Sequence, residues 1–425
     1  MSKRTAAAAI MATATAIALA ACSTAPAEPV DEDAPLSGTL VIGAYATAKA
    51  ALDPLIAEFE AANPGVTVNA TYADNQPYQA AIRTQLSSGT APDVFTVWPG
   101  NGNPGAMEVL APGGYLLDLS TVDGLPSLPE ELASVTEIDG EQFVFPLTVA
   151  GIGGVYNEQA VEEAGATIPE TWDEVLDFCA AAKDAGKVAF SLGLNSLFVT
   201  QLINYSLVST LVYAEDPDFE SQIADKSTTF EDSNWKTAFE QYMDLQDAGC
   251  FTANALGTTN DVAQADVANG TALATVTLTT TISQIRSLAP EGTTFGMFAL
   301  PATDDPEDTW MPAAAFDGFG INAKAKNMAA AQAFLTFIAA PEAMASYAAV
   351  AGSLPSVASD SFEPDGTLAV LNDYWTNGRT YPFPDQLWPN AIVATVHKEG
   401  VQKVFGGQAT IEDILTGMTS AYFTQ

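Results

Sequence analysis

The chain has a single histidine, His397, and three cysteines, Cys22, Cys179 and Cys250, in 425 residues. So few soft ligands, unclustered, argue against a structural or catalytic zinc site. Basic residues are also scarce: 14 Lys and Arg stand against 52 Asp and Glu, for a formal charge of −38. A nucleic-acid-binding protein neutralises phosphates with Lys and Arg, and this composition excludes that partner. The acid excess favours solubility and repulsion between copies, as expected of a monomer. A general acidity of exported proteins, or a salty habitat, accounts for it more simply than a cationic ligand does. There is no Gly-x-Ser-x-Gly elbow, no phosphate-binding Gly-Lys loop and no short-period repeat, which leaves no motif for acyl or phosphoryl transfer and none for a solenoid.

What is present begins at the amino end. Lys3 and Arg4 precede an uncharged run of sixteen residues, Ala6 to Ala21, which ends at Cys22. A charged start, a short apolar run and small residues before a cut site read as a secretory signal spanning 1–21. The run is shorter than the roughly 20 residues of a membrane span, and no later segment reads as one. Leu19-Ala20-Ala21-Cys22 resembles the bacterial lipobox. That resemblance implies cleavage before Cys22 and acylation of its thiol and new amine, hence an anchor on the outer face of the cell membrane. Removal of Lys3 and Arg4 would take the formal charge to −40. Residues 22–36, rich in Ala, Pro, Glu and Asp, read as a lipidated flexible tether with a reach of about 20 Å. Outside the cell Cys179 and Cys250 can oxidise. Sequence cannot show their separation, so a disulfide and two buried thiols both stay open.

The body, roughly 390 residues, is long enough for two domains with full cores. It opens in alternation. Thr39–Tyr45 reads as a strand, and Leu52, Leu55, Ile56 and Phe59 mark one helix face that Asn63-Pro64-Gly65 stops. Val66, Val68, Ala70 and Tyr72 alternate as a strand, Tyr78, Ile82 and Leu86 mark a helix ended near Gly89, and Asp93–Trp98 is another strand. Later, Thr171-Trp172-Asp173-Glu174 reads as a capping box. Thr410 caps a last helix with Ile411, Ile414, Leu415 and Met418 on its face, and Pro341 interrupts the helix of Phe334, Leu335 and Ile338. Strands alternating with helices imply an α/β fold with largely parallel sheets.

Several segments, in their order and spacing, resemble family 1 extracellular solute-binding proteins, the maltose-binding-protein-like sugar receptors of ABC importers. They are Leu52 to Glu60 running into Asn63-Pro64-Gly65-Val66; Ala91-Pro92-Asp93-Val94-Phe95; Asp139 to Leu147; Val155-Tyr156-Asn157; Pro169 to Glu174; and Ala333-Phe334-Leu335 with Pro341-Glu342. The resemblance covers about Leu40 to Tyr422. It implies a two-lobe, periplasmic-binding-protein-like type II fold with a hinge. Lobe 1 would hold 37–146 and 301–350, and lobe 2 would hold 150–298 and 352–425. The hinge would lie near Pro146–Gly151, Ala299–Ala302 and Ser353–Ser356. It also implies capture of a small solute by lobe closure, delivery to permease subunits, no cofactor and no catalysis.

A sugar has apolar C–H faces and hydroxyls that both donate and accept. Its receptor needs flat aromatics with carboxylates and amides around them. Such residues belong on loops at strand ends. Tyr45 ends the first strand and Trp98 the third, followed by Pro99-Gly100-Asn101-Gly102-Asn103, so Tyr45, Trp98 and Asn101 are candidates on lobe 1. Trp388, in the Pro-rich stretch Tyr381–Trp388, would be a stacking aromatic of the opposing wall by resemblance; Phe198 lies where the family often places another. Trp310, Asp317 and Trp375 complete the set, Asp317 because an acid entering an apolar strand needs a partner. In one place the chain departs from the resemblance. After Asn269-Gly270-Thr271-Ala272 the aromatic turn is replaced by Thr275 to Thr281, which reads as a hydroxyl-rich site or simply as a strand.

Three rival readings remain at this level. A polyamine or peptide receptor would gather several acids around the aromatics. A lipid-anchored glycosidase would need two carboxylates about 5–10 Å apart. An adhesin or surface scaffold would need no closure on a small molecule.

Overall fold

The computed structural model describes residues 35–424. The expected signal, Cys22 and the tether up to residue 34 lie outside the described residues. The strands that build two sheets are, in chain order, β1 (Gly38–Tyr45), β2 (Val66–Ala73), β3 (Val94–Thr96), β4 (Phe145–Pro146), β5 (Thr148–Asn157), β6 (Val188–Phe190), β7 (Ala272–Leu278), β8 (Phe295–Phe298), β9 (Met311–Ala315), β10 (Gly318–Ile321), β11 (Leu354–Pro355) and β12 (Thr380–Tyr381).

The first sheet has the order β2-β1-β3-β10-β4. β1 runs parallel to β2 and β3, with Ile42 opposite both Ala70 and Val94. The returning strand β10 is antiparallel to β3 and β4. The helices expected between the parallel strands form at Lys49–Ala62 and Asn75–Ser88, and Ala51, Leu52, Leu55, Ile56 and Phe59 are the buried stripe of the former. Gly89 closes the second helix with φ 71°, a left-handed angle that favours glycine. Pro341 breaks one helix and begins the next: Met328–Ile338 and Pro341–Ala351 meet at 71°. This lobe's core gathers Leu52, Phe59, Phe95, Phe145, Phe334 and Tyr347.

The second sheet is built on β5. It pairs antiparallel with β7, β8, β9 and β11; β6 extends the sheet parallel to β7, and β12 parallel to β9. Alternation along β5 feeds two cores, Val149 and Val155 on one face and Ile152 on the other. Close packing against this strand requires glycine. A Cβ at Gly154 would lie 2.4 Å from the Phe298 ring.

Thr171 caps helix Trp172–Asp184 by accepting from the Glu174 N–H, while Glu174 reaches back one residue further than a capping box requires, to the Glu170 N–H at 2.8 Å. The Thr410–Asp413 pair at helix Ile411–Tyr422 makes both bonds of the box. The stretch Leu197–Ala214 is long and apolar enough to cross a membrane, a feature the sequence reading passed over. It is 72% buried within the second lobe and serves as a core helix. Cys179 and Cys250 are bonded, with Cα atoms 5.0 Å apart, which closes the question the sequence left open.

The chain passes between the sheets at Leu147, at Phe316–Asp317 and ahead of Leu354. Within the stretch 301–350 expected in lobe 1, Met311–Ala315 pairs in the second sheet, and the chain joins the first only from Gly318. Leu132 and Val135, from the stretch 37–146, likewise pack into a core of the second lobe with Val149 and Leu354.

Candidate functional site

Because β1 and β3 are parallel, their carboxyl ends open at one edge of the first sheet. Tyr45 and Trp98 meet there with ring centroids 5.7 Å apart, and Tyr78 touches Trp98 edge-on from a second side, also at 5.7 Å. Tyr78 is held by its hydroxyl, which donates to the Thr96 carbonyl at 2.9 Å. Burial lifts that hydroxyl's pKa far above the usual tyrosine range, so it stays a donor. Gly105 closes against Trp98, where a Cβ would come within 3.0 Å of the indole. Tyr45 is buried and Trp98 half-buried, so Trp98 is the ring left with exposed surface.

The loop that follows meets the second lobe directly. Asn101 donates from its main-chain N–H to the Gln386 carbonyl at 3.2 Å and from Nδ2 to the Pro389 carbonyl at 2.7 Å. The Gly100 N–H donates to the Val135 carbonyl at 2.7 Å. Gly102 leaves room for Asp385, whose Oδ2 lies 2.6 Å from where a Cβ would stand. Burial pushes the Asp385 carboxyl up, with the Lys398 charge and the Tyr205 hydroxyl pulling the other way. On the lobe 1 side burial also raises Glu108, against the pull of the Asn101 side chain. Gln386 is buried, its Nε2 donating to the Ala315 carbonyl while Oε1 has no partner.

The structure therefore assembles Tyr45, Trp98 and Asn101 on one wall and sets Asp385, Gln386 and Glu108 beside them, none of them a candidate from sequence, with the fully buried Tyr205 behind Asp385. Asp385 and Gln386 stand in the same Pro-rich stretch as Trp388; an acid and an amide at the start of a short helix after Pro384 were the available signal. Trp388 itself points the other way. It is fully buried among Trp235, Phe230, Tyr205 and His397, with ring centroids 6.0 to 6.3 Å away, and so presents no face to a ligand in this structure. A ring of that size is drawn into the core by the apolar area it removes from water.

The other candidates are dispersed. Phe198, 39% exposed, follows β6 on the carboxyl side. Trp310 lies five residues before Ala315, about 17 Å from the crossing along β9; its N–H donates to Thr210 Oγ1 at 2.9 Å. Trp375 lines a cavity of about 400 Å³ with Leu132, Val135, Ala315, Ser356 and Pro382, beside the crossing at Leu354 and without Tyr45 or Trp98. Asp317 is buried in the second crossing, its neighbour being Tyr347 of the first lobe's core. The threonine run resolves as strand β7 and a following turn. Thr275 Oγ1 donates to the Ser191 carbonyl, Thr279 Oγ1 accepts from the Gly151 N–H and Thr281 Oγ1 donates to the Leu278 carbonyl, so these hydroxyls are spent inside the fold. Among the described residues no group of three or more His, Cys, Asp or Glu side chains is placed to hold a metal ion.

Comparison with known proteins places this architecture. Residues 54–367 match the family described as bacterial extracellular solute-binding protein. A multiple sugar-binding protein of Streptococcus mutans is 24% identical over 379 residues, 88% of this chain and 87% of that protein. Among solved structures, RafE in complex with raffinose superposes with a TM-score of 0.75 at 20% identity, over 90% of this chain and 98% of its own. A chitin oligosaccharide binding protein gives 0.77 at 21% identity, over 91% and 98%. These likenesses extend to the two-lobe fold.

Proposed function

The chain belongs to the bacterial extracellular solute-binding proteins, and from that premise we propose that it captures a carbohydrate, a mono- or oligosaccharide, between its lobes and delivers it to the permease of an ABC importer. In this reading lipid on Cys22 holds it at the outer face of the membrane, and it binds its ligand without transforming it. The division into lobes follows the crossings near Leu147, Asp317 and Leu354.

One observation carries the reading: the half-buried Trp98 indole, backed by Tyr45, stands beside the polar loop Asn101–Gly102, which meets Asp385 and Gln386 of the other lobe. A flat ring suits the C–H face of a pyranose, and carboxylate and amide oxygens accept from its hydroxyls. A ligand that touches both walls only in the closed arrangement draws the lobes together. Moving such an equilibrium from 1:99 to 99:1 takes about 5.5 kcal/mol of differential binding. One aromatic contact cannot supply that, so stacking and several hydrogen bonds must act together. The sugars named for similar proteins, raffinose and chitin oligosaccharides, support the assignment.

The test is a thermal-shift panel of mono- and oligosaccharides, polyamines and short peptides, with chromatography of the oligosaccharides after incubation. At least one sugar raises the melting temperature and is recovered intact. A rise with polyamines or peptides and with no sugar removes the carbohydrate assignment, and cleavage products would make the protein an enzyme.

A further inference from the structure

The passages between the lobes are tied to one another. The Leu147 N–H donates to the Asp317 carbonyl at 2.7 Å, the Asp317 N–H to Thr148 Oγ1 at 3.3 Å and the Ser356 N–H to the Leu147 carbonyl at 3.1 Å. Asp317 thus sits in the two-residue link from β9 to β10 and holds the first crossing through its main chain. Its carboxyl lies in the same place, 3% exposed, and Oδ1 has no hydrogen-bond partner. No Lys or Arg pairs with it among the described residues.

The group that faces it is Tyr347, on helix Pro341–Ala351, whose buried hydroxyl has no other partner and favours the charged carboxyl. The first crossing (Phe145 to Thr148), the third (Leu354 to Ser356) and the strand Gly318–Ile321 bring only apolar and hydroxyl side chains. Beyond Tyr347 the next ionisable group is Tyr72, which donates to Asp53, itself paired with Lys49 at the surface.

We propose that Asp317 is a proton-linked element of the hinge: protonated, it fits the buried crossing seen here, and its ionisation favours a rotated arrangement in which water reaches the carboxyl. An ionised carboxylate without a partner is costly to bury, whereas a neutral acid is not. Rotation of lobes is absorbed at a few linking residues, and Asp317 is one of them. Ionisation can shift the rotation only through its different free energy in the two arrangements, and burial in one of them supplies that difference. Burial pushes this carboxyl up from its ordinary 3.8 to about 7, with Tyr347 opposing, so the balance moves toward the rotated arrangement as pH rises between those two values and levels above 7. The inference rests on the hinge alone and holds whatever the solute is.

Small-angle scattering of the ligand-free protein from pH 4 to 8.5 tests it. The radius of gyration of the wild type increases as pH rises from about 4 toward 7 and is constant above that. Asp317→Asn keeps the low-pH value throughout. Tyr347→Phe carries the rise to higher pH before it levels, because it removes the neighbour that favours the charge. Glu220→Gln, inside the second lobe, leaves the transition in place. A wild-type radius that does not change with pH overturns the proposal, as does an unaltered transition in Asp317→Asn. If Asp317→Asn does not fold, Tyr347→Phe decides, and a rise that levels at the wild-type pH there overturns it.

Discussion

Asn101 of the first lobe donates from its side-chain amide to the carbonyl of Pro389 in the second, 2.7 Å away. The neighbouring residue makes this approach possible. At Gly100 a Cβ would lie 2.1 Å from the Gln386 carbonyl oxygen, and φ is +65°. Gly100→Ala therefore forces the walls apart and strains the loop by about 1–2 kcal/mol. Each lobe keeps its own core, so the variant folds; its radius of gyration stays at the open value in the presence of a bound sugar, and affinity falls by about tenfold or more. Asn101→Ala only removes a bond, typically about 0.5–1.5 kcal/mol, and costs roughly two- to tenfold. Calorimetric titration of both variants checks the order; equal losses would mean that the close approach at Gly100 is not what limits closure.

The lobe 1 wall was legible because it follows from local signals. Parallel strands ending in Tyr45 and Trp98, followed by a Gly/Asn loop, put aromatics at one sheet edge without reference to distant parts of the chain. The capping residues Thr171 and Thr410 were legible for the same reason. The second wall was not. Whether Trp388 or Asp385 faces outward depends on Trp235, Tyr205 and His397, elements far away in sequence that claim the Trp388 ring for the core. Nothing in a Pro-rich run records that competition. The place of β9 was hidden similarly: the apolar run Met-Pro-Ala-Ala-Ala reads equally well as a strand of either sheet, and only pairing with β5 decides.

Cys179 and Cys250 close a long covalent loop, with a sequence separation of 71, and join helix Trp172–Asp184 to the end of helix Trp235–Asp247. Constraining the unfolded chain over that length contributes about 4 kcal/mol in the loop-entropy description. The double variant Cys179→Ala/Cys250→Ala therefore melts well below the wild type, and dithiothreitol lowers the wild-type melting temperature while leaving the variant unchanged. Insensitivity of the wild type to reductant, with two titratable thiols in denaturant before any reduction, would show that the pair is not bonded.

Stability depends on pH through Glu220. Desolvation raises this carboxyl to about 7, although Tyr213 donates to it at 2.7 Å and Tyr422 at 3.4 Å. A carboxyl whose pKa is higher folded than unfolded binds more protons in the folded state. Stability is then greatest below pH 4.5 for this group and declines as pH rises toward 7, by at most about 3 kcal/mol. Glu220→Gln keeps an acceptor for the tyrosines and cannot ionise, so its melting temperature falls less between pH 5 and 8 than that of the wild type. Parallel melting curves for the two proteins would exclude Glu220 as the source.

Trp98 is the residue on which solute recognition is expected to turn. Its ring is wedged between Tyr45 and Tyr78, each 5.7 Å away, and under Gly105, so its orientation is fixed before any ligand arrives. A platform that is already ordered spends little of its stacking energy on immobilisation. Truncation to Ala removes the apolar surface and the fixed plane together, but Trp98 stands at the rim of its core and is half-buried, so the cost to folding is about 1–3 kcal/mol rather than the 3–5 of a fully buried ring. Trp98→Ala is thus expected to remain folded by circular dichroism and to lose most of the sugar-induced rise in melting temperature, with Trp98→Phe recovering part of it. Full retention of the rise in Trp98→Ala would place the sugar elsewhere, and the 400 Å³ cavity beside Trp375 would be the next surface to test, with Trp375→Ala as the probe.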